Sequence, residues 1–158
     1  MPSMTTIDRA RDALQAELET GEVLEAASQA QLDGGTMRMA SRIGAGAAGG
    51  VHAASIAAGT EPDDLGARLA NGLVLAVTNR RLFLLDVTAV SARPKSVVTT
   101  IDRSRLADIT TGDKRVMLVK LLTIAMTVRG DDGDQALRFE IPKTARRDGQ
   151  AVVDVLRD

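Results

Sequence analysis

Cysteine is absent from this sequence of 158 residues, as are tryptophan and tyrosine, and the aromatic side chains are Phe83 and Phe139 alone. Without thiols there can be no disulfide, no thiolate metal site and no cysteine nucleophile. With His52 as the sole histidine, zinc would need carboxylates for most of its ligands. Without aromatic platforms the chain lacks the side chains on which single-stranded nucleic acids stack, and those that anchor membrane-spanning proteins at the interface. A long block of one charge is missing too. The formal net charge is −1, so no global attraction to phosphate backbones exists and nucleic acid is not expected as a partner. The N-terminal MPSMTTIDRARDALQ has no apolar run before Asp8, so no export signal is read and cytoplasmic residence is expected.

What is present is enough for one domain, which at this length can withdraw roughly 70% of its unfolded surface from water. Thr5 with Asp8 three residues on has the form of a capping box. Ile7, Ala10, Leu14 and Leu18 then recur at helical spacing, so an amphipathic helix is expected over residues 6–19, ended by Gly21. EVLEAASQAQL, residues 22–32, is expected as a first strand. Residues 34–70 are rich in Gly and Ala and are punctuated by Pro62, Asp63 and Asp64, the composition of an insertion. GLVLAVT and RLFLLDV are apolar runs separated by Asn79 and Arg80, the spacing of a two-residue hairpin. VVTTI reads as a strand, DRSRL as a turn and ADITT as a short strand. The alternation over residues 118–129 predicts a long strand, and GDDGD a turn. Leu137, Phe139 and Ile141 alternate with Arg138 and Glu140, the pattern of a half-buried strand. Ala145, Gly149, Val152, Val153 and Leu156 share one face of a helix over 143–157, with Gly149 permitting close approach.

Seven antiparallel strands must close on themselves or cover their edges, and a helix plugging one open end does so economically. The expected architecture is therefore mainly β, a seven-stranded barrel capped by a C-terminal helix. The amphipathic helix of residues 1–20 precedes it, and the body of residues 21–158 is interrupted by the 34–70 insertion between strands 1 and 2. Taken in order, LVLAVTNRRLFLLD, SVVTTIDRSRLADIT, LTIAMTV, ALRFEI and AVVDVLRD, with GEVL opening at Gly21, resemble the bacterial pleckstrin-homology-like (PH-like) family, a relative of the GRAM domains. The resemblance implies two orthogonal antiparallel sheets under a C-terminal helix. It also implies a role in lipid binding, protein binding or self-association, with no chemistry. The base pattern by which eukaryotic relatives hold phosphoinositides at the first hairpin is not matched by Arg38 and Arg42, and no ligand residue is carried over.

Several features invite a sharper function. Gly44, Gly46 and Gly49 satisfy the spacing of a dinucleotide-binding loop, but no apolar strand precedes them and Asp63 lies in a Pro-containing stretch. A nucleotide-dependent enzyme is thus a remote alternative. Gly46, Gly50, Ala54 and Ala58 form a row of small residues along which two helices could pack closely. The charge-free stretch 43–60 has too few large apolar residues to favour crossing a membrane. His52 and Ser55 lack an orienting carboxylate, and Asp131, Asp132 and Asp134 lack the remaining ligands of a calcium loop. Arg80 and Arg81, with Arg103 and Arg105, could converge on an anion. The expected function is a noncatalytic interaction module without cofactor or metal. A protein partner or a second copy of the chain would be held through residues 34–70. The alternative is a peripheral membrane adaptor reading anionic lipid through Arg38, Arg42, Arg80 and Arg81.

Overall fold

The computed structural model describes residues 4–32, 72–88, 91, 93–131 and 133–158. Helix α1 (Thr6–Leu14) begins at the expected capping box. The Thr5 hydroxyl accepts from the amide of Asp8 at 3.3 Å, and the Asp8 carboxylate accepts from the amide of Thr5 at 3.2 Å. It ends at Leu14, earlier than the apolar spacing predicts. There the amides of Glu17 and Leu18 both turn back onto the Leu14 carbonyl, at 2.8 and 3.1 Å, so the helix gives way to a turn. Leu18 still joins Ile7, Ala10 and Leu14 in one apolar cluster, and Gly21, at φ +79°, redirects the chain into the sheet.

Seven antiparallel strands follow: β1 (Leu24–Leu32), β2 (Leu73–Thr78), β3 (Arg81–Val87), β4 (Pro94–Asp102), β5 (Leu106–Val116), β6 (Val119–Val128) and β7 (Gln135–Ile141). Their order is β4-β3-β2-β1-β7-β6-β5, and β1 belongs to two sheets. Its first part pairs with β2 (Ala30 opposite Leu73), and its last residues, Gln31 and Leu32, pair with Glu140 and Phe139 of β7. The main core lies between the sheets. Leu73, Leu75, Val77, Leu82, Leu84 and Ile101 face Leu122, Ile124, Met126, Leu137, Phe139 and Ile141. The opposite face of β2 and β3, with Val74, Ala76, Phe83 and Leu85, packs beneath α1. Burial on both faces is why these two strands read as unbroken apolar runs while β7 alternates.

Helix α2 (Arg146–Arg157), entered through a 3-10 turn at Lys143–Ala145, closes the space between the sheets with Ala145, Gly149, Val152, Val153 and Leu156, the face expected from sequence. A Cβ at position 149 would stand 2.8 Å from Cγ2 of Ile141, so only glycine lets the helix lie this close. No ladder joins β4 to β5 among the described residues. Side chains instead tie the connecting turn and β5 to α2. From the 3-10 turn Arg103–Arg105 that links the two strands, Arg103 donates to the carbonyls of Thr78 and Val155. Arg157 donates to the carbonyl of Ile109 at 3.1 Å.

Two expectations need correction. The short strand read at ADITT is part of an eleven-residue β5 that runs on to Val116, because the chain reverses at Met117–Leu118. Leu118 is therefore a turn residue, not the start of a long strand. Glu140, whose position in the alternation placed it outward, is buried at 1% exposure and paired with Lys114 at 2.8 Å. The proposed insertion 34–70 lies outside the described residues, and with it Arg38, Arg42, Gly44, Gly46, Gly49, Gly50, His52, Ala54, Ser55 and Ala58.

Candidate functional site

In the β5–β6 hairpin, Val116 opposite Val119 is the last pair, which leaves Met117 and Leu118 as a two-residue turn. Met117 has φ +55°, a left-handed conformation that an L side chain adopts at a cost of about 1–2 kcal/mol. Glycine is the usual occupant where such a turn needs a positive φ. Here the position holds a large apolar residue, and the side chains stand in solvent. Met117 is 76% exposed, Leu118 97% and Val119 46%. The other large apolar residues exposed in the described structure, Met4 and Val23, stand singly in the sequence. Single exposed apolar residues are ordinary, whereas three in succession at a strained turn call for a partner.

Bases surround this tip. Arg115 and Lys120 are cross-strand partners immediately behind it, and Lys114 lies opposite Leu121 on the other face. The first turn of α2 lies alongside, because Asp113 of β5 accepts from Arg146 at 2.9 Å and approaches Lys120 at 3.5 Å. Those two cations hold the Asp113 carboxyl below its ordinary range, the hydrogen bond from Arg146 contributing most. Lys143 extends the patch, and Arg147 follows Arg146 in the first turn of α2. With Arg115 they form no ion pair among the described residues, whereas Lys114 is committed to Glu140. Six bases thus meet Asp113, Glu140 and Asp148 at one end of a molecule whose net charge is −1. Leu118, Val119, Lys120, Lys143 and Arg146 line a depression of about 550 Å³.

Of the arginines singled out from sequence, Arg80, Arg81, Arg103 and Arg105 are among the described residues, and each is already engaged elsewhere. Arg81 forms a two-point ion pair with Glu22, through Nε at 2.9 Å and through Nη2, and it lies over the Phe83 ring at 4.7 Å. The Glu22 side chain is fully buried, and its carboxyl is lowered to about 2. Arg81 contributes most, the amide of Glu19 and the hydroxyl of Thr78 assist, and burial opposes. Arg80 pairs with Glu19 at 3.2 Å on the surface. Arg103 reaches Glu25, and Arg105 bonds the carbonyl of Arg129, so the four guanidinium groups do not converge on one point. The apolar tip was missed because its residues continue the apolar text of a strand. The signal available was the near-symmetry of Lys114-Arg115-Val116-Met117-Leu118-Val119-Lys120, bases on both sides of a short apolar run. Among the described residues no group of three His, Cys, Asp or Glu side chains could hold a metal, and no helix is long and apolar enough to cross a membrane.

No family model matches the chain, and no curated protein matches it. Among solved structures it is similar to the crystal structure of a pleckstrin homology domain from Shewanella amazonensis SB2B. The sequences are 13% identical, the TM-score is 0.49, and the match covers 93% of this chain and 94% of that one.

Proposed function

We propose that the protein is a noncatalytic peripheral docking module that sets the β5–β6 tip into the headgroup layer of an anionic bilayer, at the cytoplasmic face of a membrane. The observation that carries this reading is the three-residue apolar tip, Met117 to Val119, ringed by bases. Neither half would suffice alone. A lone leucine withdrawn from water contributes about 1.5–3 kcal/mol. Each base near an anionic surface contributes about 1 kcal/mol. Half-burying the three apolar side chains and engaging Arg115, Lys143 and Arg147 gives about 6 kcal/mol, equivalent to a dissociation constant on the order of tens of micromolar. That is the range of reversible surface attachment.

The internal commitments of Arg80 and Arg81 support placing the lipid contact here rather than at the β2–β3 turn. The test is cosedimentation of the full chain with vesicles of phosphatidylcholine alone and with added phosphatidylglycerol. Binding is expected only to the anionic vesicles and should weaken with salt. Replacing both Met117 and Leu118 by Asp should abolish it while leaving the thermal melt nearly unchanged. Absence of wild-type binding to anionic vesicles at low salt would overturn the proposal.

A further inference from the structure

One side chain of the β5–β6 tip can be turned polar by mild chemistry. Val116, Leu118 and Val119 are hydrocarbons, inert to mild oxidants, whereas Met117 among them carries a thioether. Oxidation of a thioether to a sulfoxide converts a flexible apolar side chain into a polar one, and dedicated reductases reverse it. The reaction is bimolecular, so a methionine reacts as readily as an oxidant can reach its sulfur. Met4, Met117 and Met126 are the methionines among the described residues, and they differ sharply in this respect. Met126 is 3% exposed in the core between the sheets, Met4 is 49% exposed ahead of α1, and Met117 is 76% exposed. Met117 also sits in the turn itself, at φ +55°, where a glycine would have left no side chain to react.

We infer that Met117 is a site of reversible oxidation whose sulfoxide releases the tip from its membrane, a control that rests on the docking reading above. A hydroperoxide is the oxidant. With hydrogen peroxide, the sulfur lone pair attacks one peroxide oxygen, and the S–O bond forms as the O–O bond breaks. The departing hydroxide takes the proton of the transferred oxygen and leaves as water, so sulfur loses two electrons and the peroxide gains them. The sulfoxide oxygen is a strong hydrogen-bond acceptor, and drawing it out of water without a donor is costly. Attachment therefore loses the contribution of Met117 and takes on that cost. The free fold is spared, because the exposed side chain stays hydrated in either state. Docking in turn covers the sulfur, so oxidation and attachment oppose one another reciprocally.

The full chain is treated with dilute hydrogen peroxide, and oxygen uptake is located by peptide mass spectrometry. Cosedimentation with vesicles of phosphatidylcholine and phosphatidylglycerol and a thermal melt follow on the same sample. Met117 should take up oxygen well before Met126, and anionic vesicles should slow its uptake. The oxidised chain should bind those vesicles about tenfold more weakly, the scale of losing most of one apolar side chain's transfer energy, with its melt unmoved. Sulfoxide reductases for the two epimers should restore the affinity. Two variants assign the effect to this sulfur. Met117→Leu, whatever its own affinity, should show no further change on peroxide treatment, and Met4→Leu should lose as much as the wild type does. Unchanged vesicle binding once Met117 is oxidised, an equal loss in peroxide-treated Met117→Leu, or oxidation of Met126 as fast as of Met117 would each sink the switch and leave the docking module standing. Failure of the untreated chain to bind anionic vesicles would remove docking and switch together.

Discussion

The β2–β3 and β5–β6 hairpins are both closed by two-residue turns, and they treat their turn residues in opposite ways. At the first, every polar group is tied down. The Thr78 hydroxyl accepts from the amides of Arg80 and Arg81 and donates to Glu22 at 2.6 Å. Asn79 accepts from the amide of Val23 and donates to the carbonyl of Gly21. Arg81 clamps Glu22. This turn welds the segment between α1 and β1 to the sheet. At the second, Met117 and Leu118 touch little of the rest of the chain, and one of them holds a strained backbone. Charge at a turn is here a structural device, and apolar surface at a turn is left in solvent. On the proposed function, stability is concentrated in one hairpin and recognition in the other.

The comparison breaks first, if it is wrong, at Arg81. Arg81→Ala would leave the Glu22 carboxylate buried beside Thr78 with no counter-charge, a loss of about 3–5 kcal/mol in chemical denaturation. A cost below about 1 kcal/mol would mean that the β2–β3 turn is not a weld and that Arg81 is available to a ligand after all.

A second, somewhat smaller effect is acid sensitivity from the same pair. The Glu22 carboxyl lies at about 2 in the folded chain against an ordinary 4.5, so the folded state binds its proton less readily than the unfolded one. A depressed acid stabilises fully above the unfolded value, and that contribution drains away as pH falls from about 4.5 toward about 2. About 2–3 kcal/mol should be lost across this window. Urea melts recorded through it should show the loss, and Glu22→Gln should flatten it. An unchanged slope in Glu22→Gln would place the acid sensitivity in other carboxylates.

Much of this division was legible in the sequence, though not the half that concerns function. The capping box at Thr5 and Asp8, the two strands around Asn79, the inward Leu137, Phe139 and Ile141 of β7 and the helical face with Gly149 all depend on local spacing, and all appear where the spacing puts them. Seven strands under a terminal helix followed from adding them up. Two kinds of information did not. A carboxylate's partner can lie far away in sequence, as Arg81 does from Glu22 and Lys114 from Glu140, so exposed-looking arginines and an outward-looking glutamate proved to be paired. The reversal at Met117 was also hidden, because neither Gly, Asn, Asp nor Pro marks it and period-two alternation reads straight through the turn.

That missing glycine supplies the third test, of opposite sign to the first. Met117→Gly removes a side chain from a backbone at φ +55° and should stabilise the fold by about 0.5–1 kcal/mol, while weakening attachment to anionic vesicles. A thermal melt and a vesicle cosedimentation on the same variant report the two effects side by side. If stability falls instead, Met117 is held by the protein and is not kept for a partner.

The smallest effect on the fold is the sharpest for the comparison. Leu118 is 97% exposed, so its side chain gains almost nothing from burial in the free protein, and Leu118→Ser should change stability by less than about 0.5 kcal/mol. Against an anionic bilayer the same side chain is half or more withdrawn from water, and its loss should weaken attachment by roughly tenfold, as expected for most of one leucine's transfer energy. A residue that moves affinity this far with the melt unmoved belongs to recognition alone. A variant that binds vesicles as the wild type does would mean that the bases carry the attachment by themselves and that the apolar tip faces water in the bound state too.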